Sequence, residues 1–279
     1  MSGGNGASSG LVAGADRVFR GPLGAVPTSV YAELRPPPEL ASHACCVWTQ
    51  VAGPFGHVQR VLPDGCADIV WMAGGELVVA GPATGHVLAE IPPGVTAVGV
   101  RFGPGASGAA LGQPAHELQD RTVELADLWG AAGRELPERM ALASPLRRPG
   151  LLAEAVARRL RDAPRPDPVV TRAAALLARG MPVADTSREI ALGERHLRRR
   201  FHEAVGYGPK TLQRIMRMRR FLDMVEAMPD PDVGRAAVEA GYADQPHLTR
   251  ESTALTGLPP VALLTSRQPR AAADGVRRR

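Results

Sequence analysis

The sequence predicts an α+β chain of two domains. A β-rich N-terminal domain with trailing helices precedes an all-α domain in which two helix-turn-helix units share one long helix. Three observations predict it. Between about Val30 and Phe102, short apolar runs alternate with turn residues at the roughly 8–12-residue spacing of sandwich or barrel strands. Beyond residue 168, apolar residues recur three and four apart, the spacing of one helix face. Finally, GERHLRRRFHEAVGYGP (193–209) returns 51 residues later as DQPHLTRESTALTGLPP (244–260). His196, Leu197, Arg199, Gly206 and Pro209 recur as His247, Leu248, Arg250, Gly257 and Pro260.

Composition sets the bounds. At 279 residues the chain is long enough for two domains, and its 44% hydrophobic and 22% charged residues are globular values. Aromatic content is only 4%, so the cores must rest on Val, Leu, Ile and Ala. The net charge of +5 is unevenly placed: residues 1–165 carry 14 Arg/Lys against 15 Asp/Glu, whereas residues 166–279 carry 19 against 13. A cationic C-terminal half points to a polyanionic partner. Lys210 is the sole lysine, so arginine usage alone is not a sign of phosphate chemistry. Three cysteines do not make a disulfide framework. MSGGNGASSG has neither the charged nor the apolar region of a signal peptide. No run approaches the ~18–20 apolar residues that cross a bilayer. The expected address is the cytoplasm, with no membrane partner.

In chain order, residues 1–14 are a Gly/Ser-rich tail expected to be disordered, and 15–163 the β-rich sensor or dimerisation domain. Its strand candidates are Cys45–Val51, Val58–Leu62, Ile69–Met72, Leu77–Ala80, Val87–Ile91 and Thr96–Phe102. Asp64-Gly65 reads as a hairpin turn. Helical spacing takes over at 115–143 and again at Leu151–Leu160. Pro164, Pro166 and Pro168 mark a linker at 164–168, where the charge balance also shifts. Residues 169–266 form the helical domain, and 267–279 a basic tail. Within the helical domain, Gly180, Gly206 and Gly241 punctuate the helices, Lys210–Ala227 is the long shared one, and residues 228–232 are a break. Asp244 caps the second arginine-bearing helix, and Pro246 falls in its first turn, where a missing N–H costs nothing.

The helix beginning at Glu194 has two faces. Leu197, Phe201 and Val205 form an apolar stripe; Arg195, Arg198, Arg199 and His202 form a basic one. Together with the second unit, SREIALGERHLRRRFHEAVGYGPKTLQRIMRMRRF and GRAAVEAGYADQPHLTRESTALTGLPP resemble the C-terminal DNA-binding domain of AraC/XylS transcription regulators, over about residues 168–265. The resemblance implies base contacts by Arg195, Arg198 and Arg199 in the first unit and by Gln245, Pro246, Thr249 and Arg250 in the second. Arginine suits guanine O6/N7, glutamine suits adenine N6/N7, and proline offers apolar contact. Phosphate contacts are expected from Lys210, Arg214, Arg217 and helix N-terminal amides. One residue departs from the pattern: Ser252 stands where the family usually has an aromatic, opposite Phe201 in the first unit. A lost buried Phe-sized group can cost about 3–5 kcal/mol, so a less stable second unit is expected.

For the N-terminal half, the resemblance implies a cupin-like β-rich domain that senses a small-molecule effector or dimerises. It also implies double-stranded DNA and RNA polymerase as partners, as for an activator. RVLPDGCADIVW resembles a segment of poorly characterised regulators of this kind. Asp64 and Asp68 suit turn chemistry better than ligand contact, and Trp48 and Trp71 suit the core. Two other readings compete: a cupin-like metalloenzyme with a DNA-binding appendage, and a thiol sensor in which Cys66 is alkylated or oxidised. Cys45, Cys46, Cys66, His43, His57 and His86 supply the donors, but none are spaced as Cys-x-x-Cys or His-x-His. Buried structural cysteines are expected, with no metal, no cofactor and no catalytic residues.

Overall fold

The computed structural model describes residues 18–19, 29–227 and 231–267. The expected tail at 1–14, all but the first residue of the tail at 267–279, and residues 228–230 of the break lie outside them. The division into a β-rich first half and a helical second half is as the sequence predicts.

Among the described residues, nine strands build the first half: β1 (Val18–Phe19), β2 (Ser29–Leu34), β3 (Ala44–Ala52), β4 (His57–Val61), β5 (Ala67–Met72), β6 (Leu77–Ala80), β7 (Val87–Ile91), β8 (Thr96–Phe102) and β9 (Thr122–Glu124). Seven form an antiparallel sheet in the order β1-β2-β3-β8-β5-β6-β9, while β4 and β7 pair separately. Val100 of the central β8 stands opposite Val47 on one side and Ile69 on the other. With a side-chain period of two, Val98, Val100 and Phe102 face one way and Ala97, Gly99 and Arg101 the other. The first face joins Val47, Ile69, Trp71 and Val79 in the main core. Four helices cover that face: α1 (Gly108–Leu111), α2 (Leu125–Trp129), α3 (Ala131–Leu142) and α4 (Arg148–Leu160).

Three features differ from expectation. Strands β1, β2 and β9 were not foreseen, and β9 interrupts the stretch read as helical at 115–143. Thr122–Glu124 extends because it pairs with β6 at the sheet edge, a long-range contact that local spacing does not encode. Asp64-Gly65 is a turn but not a hairpin: β4 pairs with β7 and β5 with β6 and β8, so the turn carries the chain from one sheet to the other. Gly65 takes φ +84°, and Asp64 Oδ1 accepts the Cys66 N–H at 2.9 Å, an Asx-type closure.

Among the described residues, seven helices follow: α5 (Pro168–Ala178), α6 (Val183–Glu189), α7 (Glu194–Val205), α8 (Pro209–Glu226), α9 (Val233–Ala240), α10 (Gln245–Thr256) and α11 (Pro260–Arg267). Helices α6–α7 and α9–α10 are the two helix-turn-helix units, and α8 joins them. Asp167, Asp232 and Asp244 cap α5, α9 and α10 by accepting backbone N–H groups, and Gly206 and Gly257 end α7 and α10 in the left-handed region. One continuous core spans both units, including Phe201, Leu212, Ile215, Phe221, Leu248 and Leu255, and Leu62 of the first half packs against it.

The halves are joined at several points. Pro164 O, in the proline-rich linker, accepts the His43 Nε2 proton at 3.2 Å, while Nδ1 faces Ser42 Oγ at 2.9 Å. Asp64 Oδ2 lies 3.3 Å from Arg219 Nη1 on α8. The His116 ring stacks on His202 of α7 at 4.6 Å.

Candidate nucleic-acid interface

Helix α7 is divided as its sequence pattern requires. Leu197, Phe201 and Val205 are buried, whereas Arg195, Arg198, Arg199 and His202 are exposed. The neighbouring Arg200 lies off that face and pairs with Asp167 at 2.9 Å, which ties the helix to the cap of α5. On α10, Gln245, Pro246 and Arg250 are exposed. Thr249 is half-buried, and its hydroxyl donates to Gln245 O at 3.0 Å. The structure thus brings the seven candidate base readers onto two equivalent helices.

The three candidate phosphate residues on α8 differ. Lys210 is exposed, with Nζ donating to Gln213 Oε1 at 3.2 Å. Arg214 Nε donates to the buried Glu251 at 2.9 Å. Arg217 is nearly buried, its side chain 11% exposed, with Nε 3.6 Å from Glu251 and Nη1 donating to Gly241 O at 3.1 Å. Its guanidinium also lies 5.3 Å from the Tyr242 ring centroid. Arg217 therefore ties α8 to the second unit rather than facing outward. Glu251 occupies the position held by Arg200 in the first unit, so the two units attach to their surroundings through opposite charges.

Ser252 fills its site differently from the expected aromatic. It is fully buried, and its hydroxyl donates to Leu258 O at 2.7 Å. Thr256 Oγ1 donates to Ser252 O at 2.8 Å and accepts the Leu258 N–H at 3.2 Å. Hydrogen bonds thus close the end of α10 where Phe201 and Val205 close α7 by apolar packing. Ser252→Ala should cost about 1–3 kcal/mol, because the single Thr256 hydroxyl proton is already given to Ser252 O and Leu258 O loses its close donor. Ser252→Phe should cost about 1–3 kcal/mol by overpacking. Urea denaturation checks both, and a stabilised Phe variant would show that the site has spare room.

Between the two units lies an open cavity of about 410 Å³, bordered by Arg198, His202, Arg214 and Ala254 and, from the first half, by Thr84 and Gln119. The basic face of α7 and the flank of α10 therefore border one cleft.

The other chemistry-bearing residues sit on the sheet face away from α1–α4, with Asp64 reaching Arg219 of α8. Arg101 Nε lies 3.1 Å from Asp68 and 3.6 Å from Asp64, and Nη1 3.7 Å from Glu33. Trp48 Nε1 donates to Asp68 at 2.7 Å. Burial raises the Asp68 pKa, despite Arg101. For Arg101, burial disfavours the charge, but Asp68 and Asp64 outweigh it and hold the guanidinium further up. Asp64 and Asp68 thus serve this ion cluster as well as the turn. Cys45 is exposed, not buried as expected; the Cys66 hydrogen bond lowers its pKa. The same bond, burial and Asp64 push Cys66 well up, the opposite of what an attacking thiolate needs. Burial pushes Cys46 to about 12. Among the described residues, no three His, Cys, Asp or Glu side chains are grouped so as to hold a metal ion. Among them, too, no helix is long and apolar enough to cross a membrane.

The contacts that sequence reasoning missed lie between the halves, where Arg60, Pro82 and His86 meet the ends of α7 and α10. Nothing in a turn's own composition names the helix it will touch.

Comparison with known proteins places two segments. Residues 186–266 match a helix-turn-helix domain model, and residues 32–124 match a domain of unknown function (DUF6597). No curated protein matches the chain. Among solved structures, ToxT from Vibrio cholerae O395 overlaps 78% of this chain and 95% of its own at 11% identity and a TM-score of 0.41. The AraC-like transcriptional activator CuxR overlaps 77% and 89% at 18% identity and a TM-score of 0.20. Residues 186–266 are thus a helix-turn-helix domain, with the outward faces of α7 and α10 exposed.

Proposed function

We propose that the chain is a DNA-binding transcription regulator of the AraC type, which reads DNA by placing α7 and α10 in successive major-groove segments about 34 Å apart. Arg195, Arg198 and Arg199 contact bases from α7, and Gln245, Pro246, Thr249 and Arg250 from α10. The observation that carries this reading is the exposure of a cationic face on α7 and of Gln245, Pro246 and Arg250 at equivalent places on α10. Lys210 is the phosphate contact best placed on α8. Arg214 joins it on release from Glu251, while Arg217 stays in the joint with the second unit. Control by a small-molecule effector belongs to the N-terminal domain, whose Arg101–Asp68–Trp48 face offers charged and aromatic contacts.

Selection of bound sequences from random duplex DNA, followed by titration against salt, tests the proposal. A protein making about six phosphate contacts loses about 10³-fold in affinity between roughly 50 and 200 mM salt. A steep loss of that order is expected. A flat salt response, or no enrichment of any sequence, would sink the reading.

A further inference from the structure

The connection between β6 and β7, residues 81–86, touches the ends of both reading helices. Gly206 and Gly257 are the equivalent C-terminal caps of α7 and α10. A β-carbon at Gly206 would lie 2.7 Å from Pro82 Cγ and 3.1 Å from Ala115 O; one at Gly257 would lie 2.4 Å from His86 Cε1. Pro82 and His86 therefore press on the two caps from one short loop. Arg60, on the neighbouring β4, donates from Nη1 to Thr256 O at 2.8 Å, a cation placed on the last turn of α10 where the helix dipole favours it.

The loop is built stiffly. Asp120 accepts the Thr84 N–H at 2.6 Å, the Thr84 hydroxyl at 2.7 Å and the Gln119 amide at 3.0 Å. These bonds hold Asp120 at φ +54°, a conformation that non-glycine residues rarely adopt. Asp120 N in turn donates to Pro82 O at 3.2 Å, and Gly81 N to Arg121 O at 2.9 Å. The second unit is also the one with fewer large apolar anchors: it keeps Leu248 and Leu255 but has Ser252 and Thr256 where the first has Phe201 and Val205. Its reading helix has the greater need of an outside support.

We propose that the 81–86 loop, pinned by Asp120 and assisted by Arg60, is a spacing element that fixes the separation of α7 and α10. On this inference, which rests on the two-helix reading of DNA above, N-terminal domain residues determine the sub-site spacing the regulator accepts. Two linked readers gain affinity only when held at the separation their sites demand, and a looser link accepts more separations with less gain at each.

The test uses the full chain and DNA selected by the wild type, in a series with the spacing between sub-sites changed by one or two base pairs, plus a probe holding a single sub-site. Wild type should lose on the order of tenfold in affinity when the spacing changes by two base pairs. Asp120→Gly, which unpins the loop, and Arg60→Ala should flatten that profile to about threefold or less, with single-sub-site affinity unchanged. Arg60→Lys, which can still donate to Thr256 O, should restore much of the spacing preference. Spacing profiles identical to wild type in folded Asp120→Gly and Arg60→Ala would overturn the inference. Should Asp120→Gly not fold, the Arg60 pair decides the matter alone. A wild type that enriches no sequence would overturn the two-helix reading itself, and the inference with it.

Discussion

Arg199→Ala is expected to weaken specific DNA binding by about 1–3 kcal/mol, the range for a bidentate arginine–guanine contact, and by more than Arg250→Ala. Both side chains are exposed at equivalent positions, so the difference rests on the helices that carry them. Helix α7 is seated by Leu197, Phe201 and Val205 and presents three arginines on its outward face. Helix α10 presents one arginine with Gln245, and its Ser252–Thr256 end is held by hydrogen bonds. Arg200→Ala is the internal control. It removes a partly exposed pair with Asp167 and should change binding little. Gel-shift titration of the three variants against one selected sequence decides the ordering, and equal losses for Arg199 and Arg250 would refute it.

Arg101→Met is expected to destabilise the fold by about 3–5 kcal/mol, since it leaves Asp68 largely buried beside Asp64 and Glu33, with only the half-exposed Arg219, 3.3 Å from Asp64, left to balance them. The loss should depend on pH with a definite sign. Asp68 already has a raised pKa in the folded protein, so the folded state binds its proton more tightly than the unfolded chain does. Its contribution is therefore favourable below the ordinary carboxylate pKa and is lost as pH rises through the folded value. Without Arg101 that folded value moves higher still. The deficit of the variant should grow from mildly acidic to neutral pH in urea denaturation. A deficit constant with pH would mean that lost packing, rather than unbalanced charge, is responsible.

The helical half was legible because its rules are local. A period of 3.6, a capping aspartate and a closing glycine place α7, α8 and α10 within a residue or two, and the 51-residue echo pairs the units. The sheet was legible only in part. Thr122–Glu124 becomes a strand through its pairing with Val78–Ala80, more than forty residues earlier. Asp64-Gly65 announces a reversal but not which sheet receives the chain. Arg214 and Arg217 look like outward cations on an amphipathic helix, until folding brings Glu251 against them from α10. Ser252 reads as a missing aromatic, since the Leu258 carbonyl that accepts its proton is placed by the turn after the helix.

The contact between Arg60 and Thr256 closes a loop of 196 residues, and this bears on how the molecule is assembled as it is made. Synthesis runs at roughly 5–20 residues per second, so the 51 residues between Gly206 and Gly257 take about 3–10 s. At the start of that interval every residue of the β domain and of α7 has been made, Arg60, Pro82 and His86 included, while α8 and α10 have not. Helix α10 is therefore expected to close the shared core last, against residues of the β domain made before it.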